Sequence, residues 1–163
     1  MDDGAFIPCG HALLRRGRVS LQGHAYHLTF TTHDRLPVFS DFHAACAAAR
    51  SFSRARTGFE LLAWVLMADH AHCLLQLGAN SSLGGAVQIL KGSSARAVNC
   101  ELKLSGPVWA AAYHDRAMRK EDDLRGAARY IVANPLRAGL VQRVGDYPFW
   151  DAVWLGVRAG HRG

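Results

Sequence analysis

The sequence has no CxxC pair, and its four cysteines, Cys9, Cys46, Cys73 and Cys100, stand far apart. That spacing excludes a zinc ribbon and a disulfide framework; Cys46 and Cys73 read instead as small buried hydrophobes. No apolar run is long enough to cross a bilayer, which excludes a helical membrane span and a membrane partner. The N-terminus, MDDGAFIPCGHALLRRG, begins acidic and lacks the basic, apolar and small segments of a secretory signal, so a cytoplasmic protein is expected. Internal repeats are missing, and so is any linker rich enough in Gly, Pro or Ser to divide domains. The 163 residues, half of them hydrophobic and a fifth charged, therefore read as one domain, 1–163, with an irregular segment at 1–22 and an aromatic tail at 145–163.

Acid is also in short supply. The net charge is +6, a sign that suits a polyanion such as nucleic acid. The excess is uneven: from Lys91 to Arg143 there are ten Lys/Arg against five Asp/Glu. Solvated helix faces would account for many of these charges equally well.

Hydrophobic spacing outlines the fold. HAYHLTFTT (24–32) alternates, with Tyr26, Leu28 and Phe30 on one face of a strand. Residues 33–39 turn. Residues 40–57 are alanine-rich and helical, with Ser40 or Asp41 to cap the start and Gly58 after the end. FELLAWVLM (59–67) is a central strand, and HAHCLLQL (70–77) returns beside it after a turn at Ala68-Asp69. Residues 78–102 open with turn residues and become a second helix. Residues 105–118 begin with a Gly-Pro break and read as a fourth strand, and 119–141 as a third helix with acids in its first turn, ended or bent near Ala133-Asn134 by Pro135. The order β-α-β-β-α-β-α predicts an α+β fold: one antiparallel-dominated sheet with helices on one face, related to the ferredoxin-like split βαβ arrangement.

Three clusters could carry chemistry. His70 and His72, two apart on a strand, share one face with Leu74 and Gln76, while Ala71, Cys73, Leu75 and Leu77 take the other. Two imidazoles so placed offer two nitrogens to one ion and need a third ligand; one histidine at a turn and one in the core is the alternative. In ARYIVANPLRAGLV, Tyr130 and Asn134 lie four apart on one helix face. The asparagine carbonyl suits a hard cation and the phenol could act as a nucleophile; a packed tyrosine and a capping asparagine fit the same residues. In PVWAAAYHDRAMRKEDD, Trp109, Tyr113, His114 and Arg116 mix aromatic and basic groups, as single-stranded nucleic acid requires. Core packing of Trp109 with the rest at a rim is the competing arrangement there, and Tyr113 and His114 are also rivals for nucleophile and ligand.

Taken together, AYHLTFTTHDRLPVF, WVLMADHAHCLLQL, LKGSSARAVN, VWAAAYHDRAMRKEDDLRGAARYIVANPLRAGLV and YPFW occur in an order that resembles the IS200-like transposases, and among them the REP-associated tyrosine transposases, from about residue 20 to 150. The resemblance implies a histidine–hydrophobic–histidine nuclease of the single-tyrosine type. It implies Tyr130 as nucleophile, and His70, His72 and Asn134 as ligands of a divalent cation. The substrate implied is single-stranded hairpin DNA from repetitive extragenic palindromes, cut through a 5′-phosphotyrosine and rejoined. Mg²⁺ or Mn²⁺ suits so small a ligand set better than a permanent zinc. Lys91, Arg96, Arg116, Arg119 and Arg129 are the candidate phosphate contacts, with Trp109, Tyr113 and His114 beside them. Monomer and homodimer both stay open. Relatives of this kind carry Pro followed by Asn or Glu before the first histidine; this chain has Ala68-Asp69. That removes a constraint on the turn and puts a carboxylate beside the ligands, where it would either replace a polar contact or disturb the metal. A DNA- or RNA-binding relative without catalysis, and a hydrolytic metal-dependent phosphodiesterase, are the alternative activities.

Overall fold

A computed structural model describes residues 20–119 and 122–155. The expected irregular segment before residue 20 and the end of the tail beyond 155 lie outside the described residues. The strands are β1 (Ala25–Thr31), β2 (Phe59–Leu66), β3 (His70–Leu77), β4 (His114–Ala117) and β5 (Trp150–Ala152); the helices are α1 (Phe42–Arg54), α2 (Leu83–Leu102), α3 (Leu124–Val132) and α4 (Asn134–Arg137). The sheet order is β4-β1-β3-β2-β5, with every neighbouring pair antiparallel. The first four strands thus take the order expected of the split βαβ arrangement, and β5 is added at the β2 edge.

The strand faces follow the alternation. Tyr26, Leu28 and Phe30 of β1, with Ala71, Cys73, Leu75 and Leu77 of β3, are buried in a core with residues of α1 and α2. Burial pushes the Cys73 thiol pKa up. Leu74, Val65 and Ala63 face the other way, into a second core with Ala128, Ile131 and Val132 of α3. Helices therefore cover both faces, not one: α3 carries its own apolar stripe and packs against β2 and β3 opposite α1 and α2. Strand β2 is apolar on both sides for this reason. A register shift between Leu61 and Ala63 adds one residue, so Leu62 and Ala63 both serve the second core.

The ends of the elements have local causes. Asp41 caps α1, accepting the Ala44 N–H at 2.9 Å, and Ser82 caps α2, accepting the Gly85 N–H at 3.1 Å. The expected fourth strand is much shorter than 105–118. Thr32 forms an isolated bridge to Trp109, and the chain then leaves the sheet because the Lys91 ammonium takes up the carbonyls of Ala110, Ala111 and Ala112. The third helix starts later than expected, behind the cap Asp123, and breaks at Ala133. Pro135 has no N–H to offer the Ile131 carbonyl one turn back. The Asn134 side-chain amide donates to that carbonyl instead, at 2.7 Å. In the tail, the Tyr147 hydroxyl donates to the Leu66 carbonyl at 2.6 Å, tying the segment before β5 to the sheet.

Trp109 is an anchor of the first core. Its ring stacks on Phe52 and meets Phe30 edge-on, and its Nε1–H donates to Ser94 Oγ at 2.9 Å, where the serine is fully buried. Removing that hydroxyl strands a buried indole N–H. Ser94→Ala is expected to lower unfolding free energy by about 1–3 kcal/mol, read from the urea midpoint at unchanged slope. A midpoint equal to the wild type would show that the bond contributes nothing.

Candidate active site

Across the face that carries α3, antiparallel register lines up polar side chains. Thr29 stands opposite His72 on β3 and opposite His114 on β4; Thr31 stands opposite His70, and His27 opposite Arg116. Paired residues share a sheet face, so these side chains lie together on the side opposite the first core. The ring centres of His70 and His72 are 5.1 Å apart. Metal–nitrogen bonds of about 2.0–2.1 Å place two ring centres at roughly this separation when the bonds meet near the tetrahedral angle.

Each ring is held through its Nδ1. His70 Nδ1 lies 2.6 Å from Asp69 Oδ1, and Arg35 Nη1 donates to Asp69 Oδ2 at 3.2 Å. The hydrogen bond from His70, with help from Arg35, holds the Asp69 carboxyl below the usual carboxylate range. A carboxylate only accepts, so the His70 proton sits on Nδ1 and the Nε2 lone pair is left for a ligand bond. His72 Nδ1 is 2.9 Å from Thr29 Oγ1 and 3.3 Å from His27 Nε2. Burial, and then coulombic coupling to His70, His27 and Arg137, push the His72 pKa down to about 4. Its imidazole is therefore neutral near pH 7, the form that coordinates metal. His27 is shifted the same way by burial and by Arg116.

The turn before His70 is tight despite the missing proline. Met67 N–H donates to the His70 carbonyl at 2.8 Å. The Asp69 carbonyl accepts from both the N–H and the hydroxyl of buried Thr32, and the Ala68 carbonyl from Phe39 N–H. Contacts to the segment after β1 replace the constraint a proline would supply.

Tyr130 projects from α3 with 60% of its surface exposed. It lines a cleft with His27, Arg116, Asp122 and Gly126. The Arg137 guanidinium lies 3.8 Å above its ring and donates to its backbone carbonyl at 2.8 Å. Asn134, with its amide nitrogen committed to Ile131, keeps its carbonyl oxygen for another partner. Among the described residues, no three His, Cys, Asp or Glu side chains form a group that could hold a metal. An ion bound by the two histidines would need a third ligand of another type, and an asparagine oxygen meets the chemical requirement.

The expected nucleic-acid contacts divide between two sides. His114 and Arg116 share the face of His72, and Arg129 is exposed on α3 beside Tyr130. Arg119 is exposed near the sheet edge, in a cleft with His24 and Asp122. Lys91 and Arg96 belong to α2, across the sheet, and the Lys91 ammonium is bonded to backbone carbonyls. Tyr113 packs against the first core. Trp109 is 6% exposed with its ring covered by Phe30, Phe39 and Phe52, which removes it from the surfaces on which a base could stack.

Four residues of the site escaped sequence reasoning: His27, Thr29, Arg35 and Arg137; Asp69, expected either to replace a polar contact or to disturb a metal, makes a polar contact with His70. Strand parity carried a signal for the first two, since they alternate with Tyr26, Leu28 and Phe30. Arg137, two helical turns after Tyr130, also had one. Arg35 had none, because it reaches Asp69 from a turn in which Asp34 and Arg35 both take positive φ, 52° and 57°.

The profile of the family described as "Transposase IS200 like" matches residues 20–134. The REP-associated tyrosine transposase of Escherichia coli (strain K12) is 32% identical over 92 residues, 56% of this chain and 53% of the relative; the chain thus spans about half the length of that protein. A Haemophilus influenzae relative is 26% identical over 140 residues, 78% of this chain and 79% of its own. The solved structure of a REP-associated tyrosine transposase bound to a REP hairpin superposes with a TM-score of 0.62 at 24% identity, covering 82% of this chain and 79% of the other, a likeness of fold. The profile match covers more than half of the chain, including the His70–His72 strand and the helix of Tyr130. The chain belongs to the IS200-like transposase family.

Proposed function

We propose that this protein is a metal-dependent transesterase of single-stranded hairpin DNA of the REP type, which nicks and rejoins a strand through Tyr130. The observation that carries the proposal is the shared face: two histidines with their Nε2 positions left for ligation, and an exposed tyrosine on the helix packed across that same side. His70, His72 and the carbonyl oxygen of Asn134 are the residues to hold the ion. When bound, a divalent cation would supply Lewis-acid chemistry there, withdrawing charge from a scissile phosphate.

The chain's own groups account for the remaining steps. The Tyr130 phenol oxygen bonds to phosphorus as the P–O3′ bond breaks, giving a 5′-phosphotyrosine and a free 3′-hydroxyl. The phenol proton leaves to solvent, and the departing 3′ oxygen gains one. The phosphoester is conserved, so the attack reverses when a 3′-hydroxyl returns, and no nucleotide cofactor is required. Arg137 keeps a positive charge at the Tyr130 ring, where phosphate oxygens would arrive. Arg116 and Arg129 extend that charge along the same side, with the His114 ring beside them. Asp69 orients His70, and Thr29 orients His72.

Tyr130→Phe is expected to abolish the covalent protein–DNA adduct seen on a denaturing gel, with hairpin affinity unchanged within about twofold, since no charge is removed. An adduct formed by the Phe variant would assign the attack elsewhere, with Tyr113 the first to test. Chelation with EDTA is expected to stop cleavage, and Mg²⁺ or Mn²⁺ to restore it; full cleavage in chelator would remove the metal role from His70 and His72. Asp69→Asn is expected to weaken Mn²⁺ binding by roughly 10–100-fold, as loss of an orienting carboxylate does. The readout is the paramagnetic resonance signal of free Mn²⁺, and an unchanged affinity would make Asp69 a turn residue only.

A further inference from the structure

The far side of the sheet carries a concentration of positive charge that the proposed chemistry does not use. Arg50 and Arg54 project from the last turns of α1, and Arg56 follows just after it; all three are exposed. Arg50 and Arg54 are one turn apart, about 6 Å along the helix axis. No acid occurs between Asp41 and Glu60 in the sequence, and the Asp41 carboxylate is occupied in capping α1. None of the three arginines makes an ion pair or side-chain hydrogen bond among the described residues. Elsewhere, Arg35, Arg116 and Arg143 are each matched to an aspartate, while Arg96, Arg125 and Arg129 also stand without an acid partner among the described residues; what sets Arg50, Arg54 and Arg56 apart is that they line one groove.

The three arginines line one groove of about 440 Å³ between α1 and α2. Hydroxyls of Ser51, Thr57 and Ser93 lie along it, and Ser51 and Ser93 are hydrogen-bonded to each other at 3.0 Å. Glu101 is the single acid of the lining, and His43 Nδ1 stands 3.8 Å from its carboxylate. No aromatic side chain lines the groove. Guanidinium and hydroxyl groups are the usual partners of phosphate oxygens. A single strand would also need aromatic platforms for its unpaired bases; a duplex, with its bases stacked inside, needs only backbone contacts.

We infer that the α1–α2 groove is a second DNA-binding surface, which takes the sugar–phosphate backbone of a double-helical segment without reading its sequence. The inference rests on the nucleic-acid reading of the protein given above. Because α1 and α2 cover the sheet face opposite His70, His72 and α3, this segment is distinct from the nucleotides at Tyr130. The protein would hold duplex on one side and process a single strand on the other.

The test uses a fluorescent blunt duplex of arbitrary sequence with no unpaired bases, and the full chain. Wild type is expected to bind it in a salt-dependent way. R50Q/R54Q/R56Q is expected to lose on the order of tenfold or more in affinity, with the slope of log K on log salt shallower by about 2.7, the value for three phosphates. A control away from the groove, R125Q/R143Q, is expected to lose less than about threefold, because its charges lie outside α1 and α2. R50K/R54K/R56K keeps the charge and is expected to stay within about threefold of wild type; an unfolding midpoint of R50Q/R54Q/R56Q equal to the wild type separates phosphate binding from any stabilisation of the α1 C-terminus by its arginines. Equal losses in the triple and control variants, a Lys variant as weak as the Gln variant, or a wild type that ignores duplex would overturn the inference. Adduct formation on hairpin DNA is followed in parallel. A wild type that forms no adduct contradicts the catalytic reading, whereas an adduct together with an unchanged duplex affinity in the Gln variant contradicts only the second surface.

Discussion

Between β1 and β3, Thr29 is opposite His72 and Thr31 opposite His70, and the rest of the site depends on that register. Strand side chains alternate, so a slip of one residue would turn both imidazoles into the α1–α2 core and bring Ala71 and Cys73 to the other face. The cores on the two faces oppose such a slip. Leu28, Phe30, Leu75 and Leu77 are fully or almost fully buried on one side and Leu74 on the other, and each would lose its place. Burying such side chains is worth roughly 1.5–3 kcal/mol apiece, more than the Thr29–His72 hydrogen bond contributes. Packing therefore fixes the geometry, and the hydrogen bonds at Nδ1 only refine how each ring is turned.

The same division of labour extends to α3. Ala128, Ile131 and Val132 seat the helix on the second core, which leaves Tyr130 on its outer side. Just beyond, Pro135 breaks the backbone ladder, and the Asn134 amide takes up the carbonyl so released. One sequence accident, a proline in a helical run, thus both ends the helix and fixes the orientation of the side chain proposed as the third ligand.

Much of this was legible in the chain because it rests on periodicity. The alternation in 24–32 and 70–77 predicts which residues face the first core, whereas the expectation of helices on one face missed what the uniformly apolar β2 carries, burial on both sides. What periodicity does not report is a side chain bonding to distant backbone. Nothing local to residues 105–118 shows that the Lys91 ammonium will draw the carbonyls of Ala110–Ala112 out of a strand, so the fourth strand shrinks to His114–Ala117. Trp109 is ambiguous for a related reason: an aromatic among basic residues suits a nucleic-acid surface, and only the buried Ser94 hydroxyl accepting its N–H assigns it to the core. The Arg35–Asp69–His70 chain depends on a left-handed turn that sequence composition does not announce. The family resemblance points to His70, His72, Tyr130 and Asn134; the groups that orient them become visible only in three dimensions.

The central claim is convergence: two imidazoles on β3 and a phenol from α3 serve one ion. A substoichiometric Mn²⁺ titration, followed by NMR on protein labelled in its histidine and tyrosine rings, tests it most directly. The account predicts that paramagnetic broadening strikes the rings of His70, His72 and Tyr130 first, ahead of His33, His43 and Tyr113. Broadening that begins at other rings, or reaches the two histidines while leaving Tyr130 sharp, would contradict it.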